Sequence, residues 1–192
     1  MRPSSPGCCA TPSSPGAKTR PGPARSPTSW PSATGRSSRS SGPSARPAVG
    51  EPLTHRDRVR PEWIDYNGHL SEPYYVLVFG DATTALMDAV GLDTAYRAAT
   101  GASLYTVEAH VRYLREVPPD AELTVRTAVL AVAAKTVRLW HELQVGGEVV
   151  ATEELVCLHV AGGRSSPLPE AVAQQLRTYL APLPEHAGRA IS

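Results

Sequence analysis

The sequence predicts an α+β domain: a curved antiparallel sheet wrapped around one long central helix, with a further helix at the C-terminal end. Three observations carry that expectation. Tyr74 to Val90 is almost continuously apolar, with hydrophobic side chains on nearly every face, so this helix should be surrounded rather than merely docked. From Ser103 to Val160 the chain passes through four runs with a two-residue alternation, as strands with one buried face do. Short connections join the runs, Gly146-Gly147 among them, and these suit hairpins rather than helical crossovers.

The elements follow in order. Arg58 to Ile64 reads as a short first strand interrupted by Pro61, and Asp65 to Ser71 as a loop in which Asn67-Gly68 supplies turn chemistry. Ser71 or Glu72 caps the long helix, and Pro73 falls in its first turn, where a missing N–H costs nothing. Gly91 ends it. Leu92 to Ala102 is read as a polar connection. In the first strand of the meander, Ser103 to Leu114, strict alternation puts Tyr105, Val107, Ala109, Val111 and Tyr113 on one side. Thr106, Glu108, His110 and Arg112 fall on the other, so Glu108 reads as an outer-face residue unless a bulge intervenes. Glu122 to Val132, Thr136 to Val145 and Glu148 to Val160 complete the sheet. Leu168 to Leu180 closes the chain as an amphipathic helix, marked at its start by Pro167 and Pro169. His141 shares a side with Leu139 and Leu143 and reads as a core or pocket-lining histidine. The sheet's edge strands need covering, which favours a homodimer or homotetramer.

Charge divides the 192 residues unevenly. Seven of the 19 Lys and Arg lie in residues 1–50, together with ten prolines and no Asp or Glu; the remaining twelve face all 18 acidic residues from Glu51 onward. Residues 1–50 are too poor in apolar side chains to offset their ordering entropy and are expected to be a disordered Pro/Ser/Arg-rich tail or linker. Residues 51–192 are about 140 residues, the usual size of one domain. The tail's basic residues are scattered, with Trp30 its lone aromatic, so no nucleic-acid partner is expected. No run is long and apolar enough to span a membrane, and no secretory leader is visible. Cys8 and Cys9 are adjacent, and Cys157 stands alone in an apolar strand. That usage fits a reducing cytoplasm and offers neither a disulfide framework nor a metal set. Without a metal set or a Gly-rich phosphate loop, no cofactor is expected.

The chemistry concentrates at Asp65-Tyr66-Asn67-Gly68-His69, where a carboxylate, an amide, a glycine and an imidazole stand just ahead of the buried helix. A helix start offers unpaired N–H groups and partial positive charge to an oxygen that gains negative charge during reaction. A base beside an oxyanion site points to a hydrolase. The same Asp65 would serve equally as the capping residue of an Asx-turn.

Arg60-Pro61-Glu62-Trp63-Ile64-Asp65-Tyr66-Asn67-Gly68-His69-Leu70-Ser71-Glu72 resembles the hotdog-fold acyl-CoA thioesterases of the 4-hydroxybenzoyl-CoA thioesterase type. Val78-Phe79-Gly80-Asp81-Ala82-Thr83, Tyr105 to Leu114 and Glu153 to Val160 carry the likeness through to the final strand. Within that group the chain is most similar to the betainyl-CoA thioesterases of carnitine degradation, which also occur fused behind L-carnitine dehydrogenase. The resemblance implies a hotdog fold, hydrolysis of a small acyl-CoA and a functional link to an L-carnitine dehydrogenase. It also implies catalytic roles at the loop. Asp65 attacks the thioester or deprotonates a water, and Asn67 holds the water or the carbonyl. Gly68 lets the backbone approach, and His69 orients Asp65 or polarises the carbonyl. Where many relatives carry Asn in the first helical turn, this chain has Ser71 followed by Glu72. Glu72 is therefore a candidate to face a cationic acyl group, with Tyr66, Tyr74, Tyr105 and Trp140 as aromatic walls for which core packing is the alternative. Two rival readings remain: a hydratase of the same fold, and a non-catalytic acyl-CoA-binding protein.

Overall fold

The computed structural model describes residues 50–188. The elements are β1 (Leu53–Arg58), a 3-10 turn (Pro61–Trp63), α1 (Glu72–Ala89), α2 (Thr94–Thr100), β2 (Ser103–Tyr113), β3 (Glu122–Val132), β4 (Thr136–Val145), β5 (Glu148–Ala161), the two-residue β6 (Arg164–Ser165) and α3 (Glu170–Arg177). One antiparallel sheet runs in the order β1-β3-β4-β5-β2, with β6 added to β5. The curved antiparallel sheet with a central helix is the architecture expected from the sequence. The expectation for the N-terminal tail lies outside the described residues, apart from Gly50.

Several elements differ from the sequence reading. The first strand lies earlier, at Leu53–Arg58, because Pro61 starts a 3-10 turn instead of interrupting a strand. The connection after α1 contains α2, capped by Asp93 through its bond from the Tyr96 N–H (2.8 Å) and ended by Gly101 in the left-handed region (φ 66°). Seven residues with none buried carry no apolar stripe to announce a helix. α3 is shorter than Leu168 to Leu180, but Val172, Ala173 and Leu176 do form its buried stripe.

α1 lies against β1, β3 and β4. Val78, Phe79 and Ala82 on it are fully buried, and Leu86 nearly so. The described residues do not enclose it: Val76 and Leu77 are each 45% exposed, so a strip of its apolar surface has no cover among them.

A β-bulge in β2 decides which of its side chains face α1. Thr106 pairs with Cys157, yet the next pair is Glu108 with Val156, so Val107 is the extra residue. Beyond it, Ala109 pairs with buried Leu155 and Val111 with buried Glu153, which sets Ala109, Val111 and Tyr113 on the inner face. Before it, Thr106 lies on the inner side, 3.7 Å from the Cys157 Sγ. Tyr105 therefore turns to the outer face, where Glu108 also lies.

Candidate active site

The loop ahead of α1 is closed by its own backbone. The Asp65 N–H donates to the His69 carbonyl (3.0 Å) and the Gly68 N–H to the Asp65 carbonyl (3.0 Å), with Gly68 at φ 83°. Leu70 and Ser71 fasten the exit by donating to Val117 and Trp63, each at 2.9 Å. Inside this loop the Asp65 Oδ1 accepts from the Asn67 N–H at 2.7 Å, so the Asx-turn geometry is formed. The Oδ2 is engaged less firmly, by the Asn67 Nδ2 at 3.4 Å, and retains capacity to accept a further hydrogen bond. Gly68, Leu70, Ser71 and Tyr74 have committed their N–H groups to carbonyls, and Pro73 has none. The N–H groups of His69 and Glu72 are left without a carbonyl acceptor among the described residues.

His69 directs its Nε2 toward the Glu116 Oε2 at 3.4 Å rather than toward Asp65. Glu72, at the first turn of α1, borders a cleft of about 600 Å3 shared with Leu70, Tyr75, Tyr113, Arg115 and Glu116. Two tyrosines shape this cleft. Tyr75 and Tyr113 meet edge to face with centroids 5.2 Å apart, and the Tyr75 hydroxyl donates to the Arg115 carbonyl at 3.4 Å. Burial pushes the Tyr113 hydroxyl up, and the negative charges of Glu72 and then Glu153 push it further.

Of the sequence candidates, the structure brings Asp65, Asn67, Gly68, His69 and Glu72 to one end of α1. Four proposed aromatic walls stand elsewhere. Tyr66 is 97% exposed at the loop tip, and Tyr74 is stacked on Trp63 at 5.2 Å. Tyr105 is on the outer face because of the bulge. Trp140 shares that face: it pairs in register with Glu154 and lines a separate pocket with Ala181, Pro182 and Pro184. Tyr75, Tyr113 and Glu153 were not among the candidates, although Glu153 carries a legible signal. It interrupts the inward series Ala151, Leu155, Cys157 with a carboxylate.

His141 and Glu153 lie in register on adjacent strands beneath α1, both buried. The Thr83 hydroxyl donates to the Phe79 carbonyl (3.0 Å), so at 2.9 Å from the His141 Nε2 it must accept. Nε2 therefore carries the ring proton, and Nδ1 accepts from the Thr127 hydroxyl at 2.8 Å. A neutral imidazole thus ties α1 to β3 and β4, and burial holds its pKa down at about 3. Burial also pushes the Glu153 carboxyl up to about 7. A separate set, His55, Asp57 and Asp81, brings three ligand-type atoms within 4.8 Å of one another and is the place on β1 and α1 that could hold a cation.

Comparison with known proteins gives this geometry its context. Residues 59–176 match the thioesterase-like superfamily. The chain is 46% identical over 144 residues to an L-carnitine dehydrogenase/betainyl-CoA thioesterase of Agrobacterium fabrum. That match takes in 71% of this chain, and the chain spans only 30% of that longer protein. It is 42% identical over 149 residues to a betainyl-CoA thioesterase of Pseudomonas aeruginosa, with 72% of this chain and 92% of that protein covered. A solved putative thioesterase from Pseudomonas putida superposes with a TM-score of 0.65 at 36% identity, covering 73% of this chain and 96% of that one. A Staphylococcus aureus protein solved with CoA shares the fold, with a TM-score of 0.70 at 24% identity over 77% of this chain and 99% of that one. With the helix-wrapping sheet and the loop at the start of α1 already in place, the match over most of the folded residues settles the family: this chain belongs to the thioesterase-like superfamily, with its hotdog fold.

Proposed function

We propose that this thioesterase hydrolyses betainyl-CoA to glycine betaine and CoA. The observation that carries the substrate is the 42% identity to the Pseudomonas betainyl-CoA thioesterase, of whose length the chain spans 92%. The Glu72-Tyr75-Tyr113 cleft adjoining the Asp65 loop supports it, because carboxylates and aromatic rings suit a quaternary ammonium group that cannot hydrogen-bond.

In the proposed mechanism the Asp65 Oδ2 supplies the basic oxygen, as nucleophile or as base for a water, while the Oδ1 bond to Asn67 fixes the carboxylate plane. The N–H groups of His69 and Glu72 stabilise the tetrahedral oxyanion, aided by the positive end of α1. The thiolate of CoA leaves as the carbonyl reforms and takes up a proton. On the nucleophile route a water then hydrolyses the Asp65 acyl anhydride, freeing the acid and regenerating the carboxylate. Arg115, on the rim of the cleft, lies where it would meet a phosphate or the pantetheine arm. The protein works in the cytoplasm alongside an L-carnitine dehydrogenase activity, as a dimer or larger assembly.

Free-thiol release from betainyl-CoA, acetyl-CoA, a medium-chain acyl-CoA and 4-hydroxybenzoyl-CoA tests the reading. Betainyl-CoA is expected to lead, and Asp65→Ala to lower kcat by roughly 10²–10⁴-fold. Equal turnover of the neutral thioesters would discard the substrate assignment. An Asp65→Ala protein with full activity would discard the role of Asp65.

A further inference from the structure

An ionised carboxylate on the inner face of a sheet is costly unless something compensates it. Glu153 is 4% exposed, set in register between Val111 of β2 and His141 of β4. Its near polar neighbour, the His141 Nε2 at 3.9 Å, is beyond hydrogen-bond reach and already donates to Thr83. No side chain among the described residues hydrogen-bonds to Glu153. Glutamine or an aliphatic residue would be the more stable occupant, so an uncompensated carboxylate marks a place to which positive charge comes from outside.

Glu153 lies close to the cleft beside α1, two positions along the sheet from Tyr113 in register. α1 packs on β1, β3 and β4, while Tyr113 on edge strand β2 is 45% exposed. The cleft beside α1 and β2 is lined by Glu72 and the Tyr75–Tyr113 pair; Glu153 lies behind that lining on the inner face, in register with Val111, two positions before Tyr113. Tyr113 stands close enough to both carboxylates to feel the charge of each.

We propose that the cleft lined by Glu72, Tyr75 and Tyr113 takes a permanently cationic acyl head, of the trimethylammonium class, and that Glu153 behind the tyrosine pair selects for that charge. The inference rests on the substrate reading above and names the residue that enforces it. A trimethylammonium group offers no hydrogen-bond donor, so it needs a diffuse negative environment rather than a fixed fork of acceptors, and two carboxylates with aromatic faces provide one. A neutral acyl group of the same shape offers Glu153 no charge to pair with. The carboxyl then keeps its proton to about pH 7, and the preference for the cation grows as it ionises.

Charge state supplies a second signature. His141 faces Glu153 from β4, Tyr113 from β2, Glu72 and Tyr75 from α1, and Cys157 from its own strand. His141 stays neutral through the physiological range, burial raises the Tyr75 hydroxyl, and burial foremost raises the Cys157 thiol. With the cleft empty, Glu153 gains its charge near pH 7; a bound cation draws that charge out at lower pH, so cation binding releases a proton.

The experiment compares kcat/KM for betainyl-CoA with that for 3,3-dimethylbutanoyl-CoA, in which carbon replaces the quaternary nitrogen. The wild-type protein is expected to favour the cation, with a ratio that climbs as pH rises through about 7. Glu153→Gln should cut the ratio by about tenfold or more and flatten its pH dependence. A wild-type ratio near one would overturn the substrate reading and this inference together. A strong wild-type preference that Glu153→Gln leaves intact would overturn the inference alone. Should that variant fail to fold, the wild-type profile decides: a ratio that is flat between about pH 6 and about pH 8 rules Glu153 out.

Discussion

At the scale of single residues, two carboxylates near α1, Asp65 and Glu153, stand in opposite settings. Asp65 sits in a loop that donates hydrogen bonds to it, whereas Glu153 sits in a sheet that offers none. The difference has a measurable consequence for stability. The Glu153 carboxyl is raised from 4.5 to about 7, so the folded state holds its proton longer than the unfolded chain does. The stabilisation this gives is fully present below pH 4.5 and is lost as pH rises through about 7, a span worth about 3 kcal/mol. Glu153→Gln removes that slope. Its stability relative to wild type should therefore improve from pH 4.5 to pH 8, read as the shift in urea midpoint at fixed protein concentration. His141 has the opposite sign, lowered from 6.5 to about 3, so its contribution is present above pH 6.5 and lost as pH falls through about 3. It is common to both proteins and cancels in the comparison to first order.

At the scale of elements, the site depends on how α1 is started and how the sheet closes behind it. Ser71 occupies the cap position of α1 but makes no side-chain bond to it; the loop's backbone bonds to Trp63 and Val117 set the helix start instead. The opposite end of the domain is secured by a backbone crossing. The Gly50 N–H donates to the Leu180 carbonyl at 2.8 Å, and a Cβ at Gly50 would lie 1.9 Å from the Thr178 carbonyl oxygen. Gly68 is the contrasting case, since a Cβ there meets nothing within 4 Å and only its φ of 83° resists substitution. Gly50→Ala should therefore cost more, roughly 1–3 kcal/mol from forced backbone movement, than Gly68→Ala at about 1 kcal/mol. Thermal unfolding of the two variants checks the order; a milder Gly50→Ala would contradict the packing of this crossing.

At the scale of the whole molecule, the unfinished surfaces lie together in kind if not in sequence. Edge strand β2 exposes Val107 and Tyr113, Leu114 just past its end is exposed too, and α1 exposes Val76 and Leu77. A second copy paired along β2 would satisfy the edge and cover the strip on α1 that the sequence had marked for burial. Replacing Val76 and Leu77 together by Glu should then shift the protein toward monomer in sedimentation velocity and lower turnover with it. An unchanged sedimentation coefficient would place the partner on another surface. No single helix among the described residues is long and apolar enough to cross a membrane.

The sequence by itself determined the long apolar helix, the four meander strands and the Asp65–His69 loop, because each is written in local periodicity or in adjacent residues. β3 and β4 fall where alternation put them, and Asp65, Asn67, Gly68 and His69 cannot be far apart in any fold. The tertiary structure decided which aromatic side chains reach the cleft and that Glu153 lies behind it. Those outcomes turn on pairings such as Val111 with Glu153, 42 positions apart in the chain, and on one unpaired residue at Val107. An extra residue in a strand leaves no mark in composition, yet it reverses the face of everything before it, and so Tyr105 left the cleft while Tyr113 stayed. The same long-range register gives Glu153 its burial without a partner, a property that belongs to the assembled sheet and to no segment of the chain.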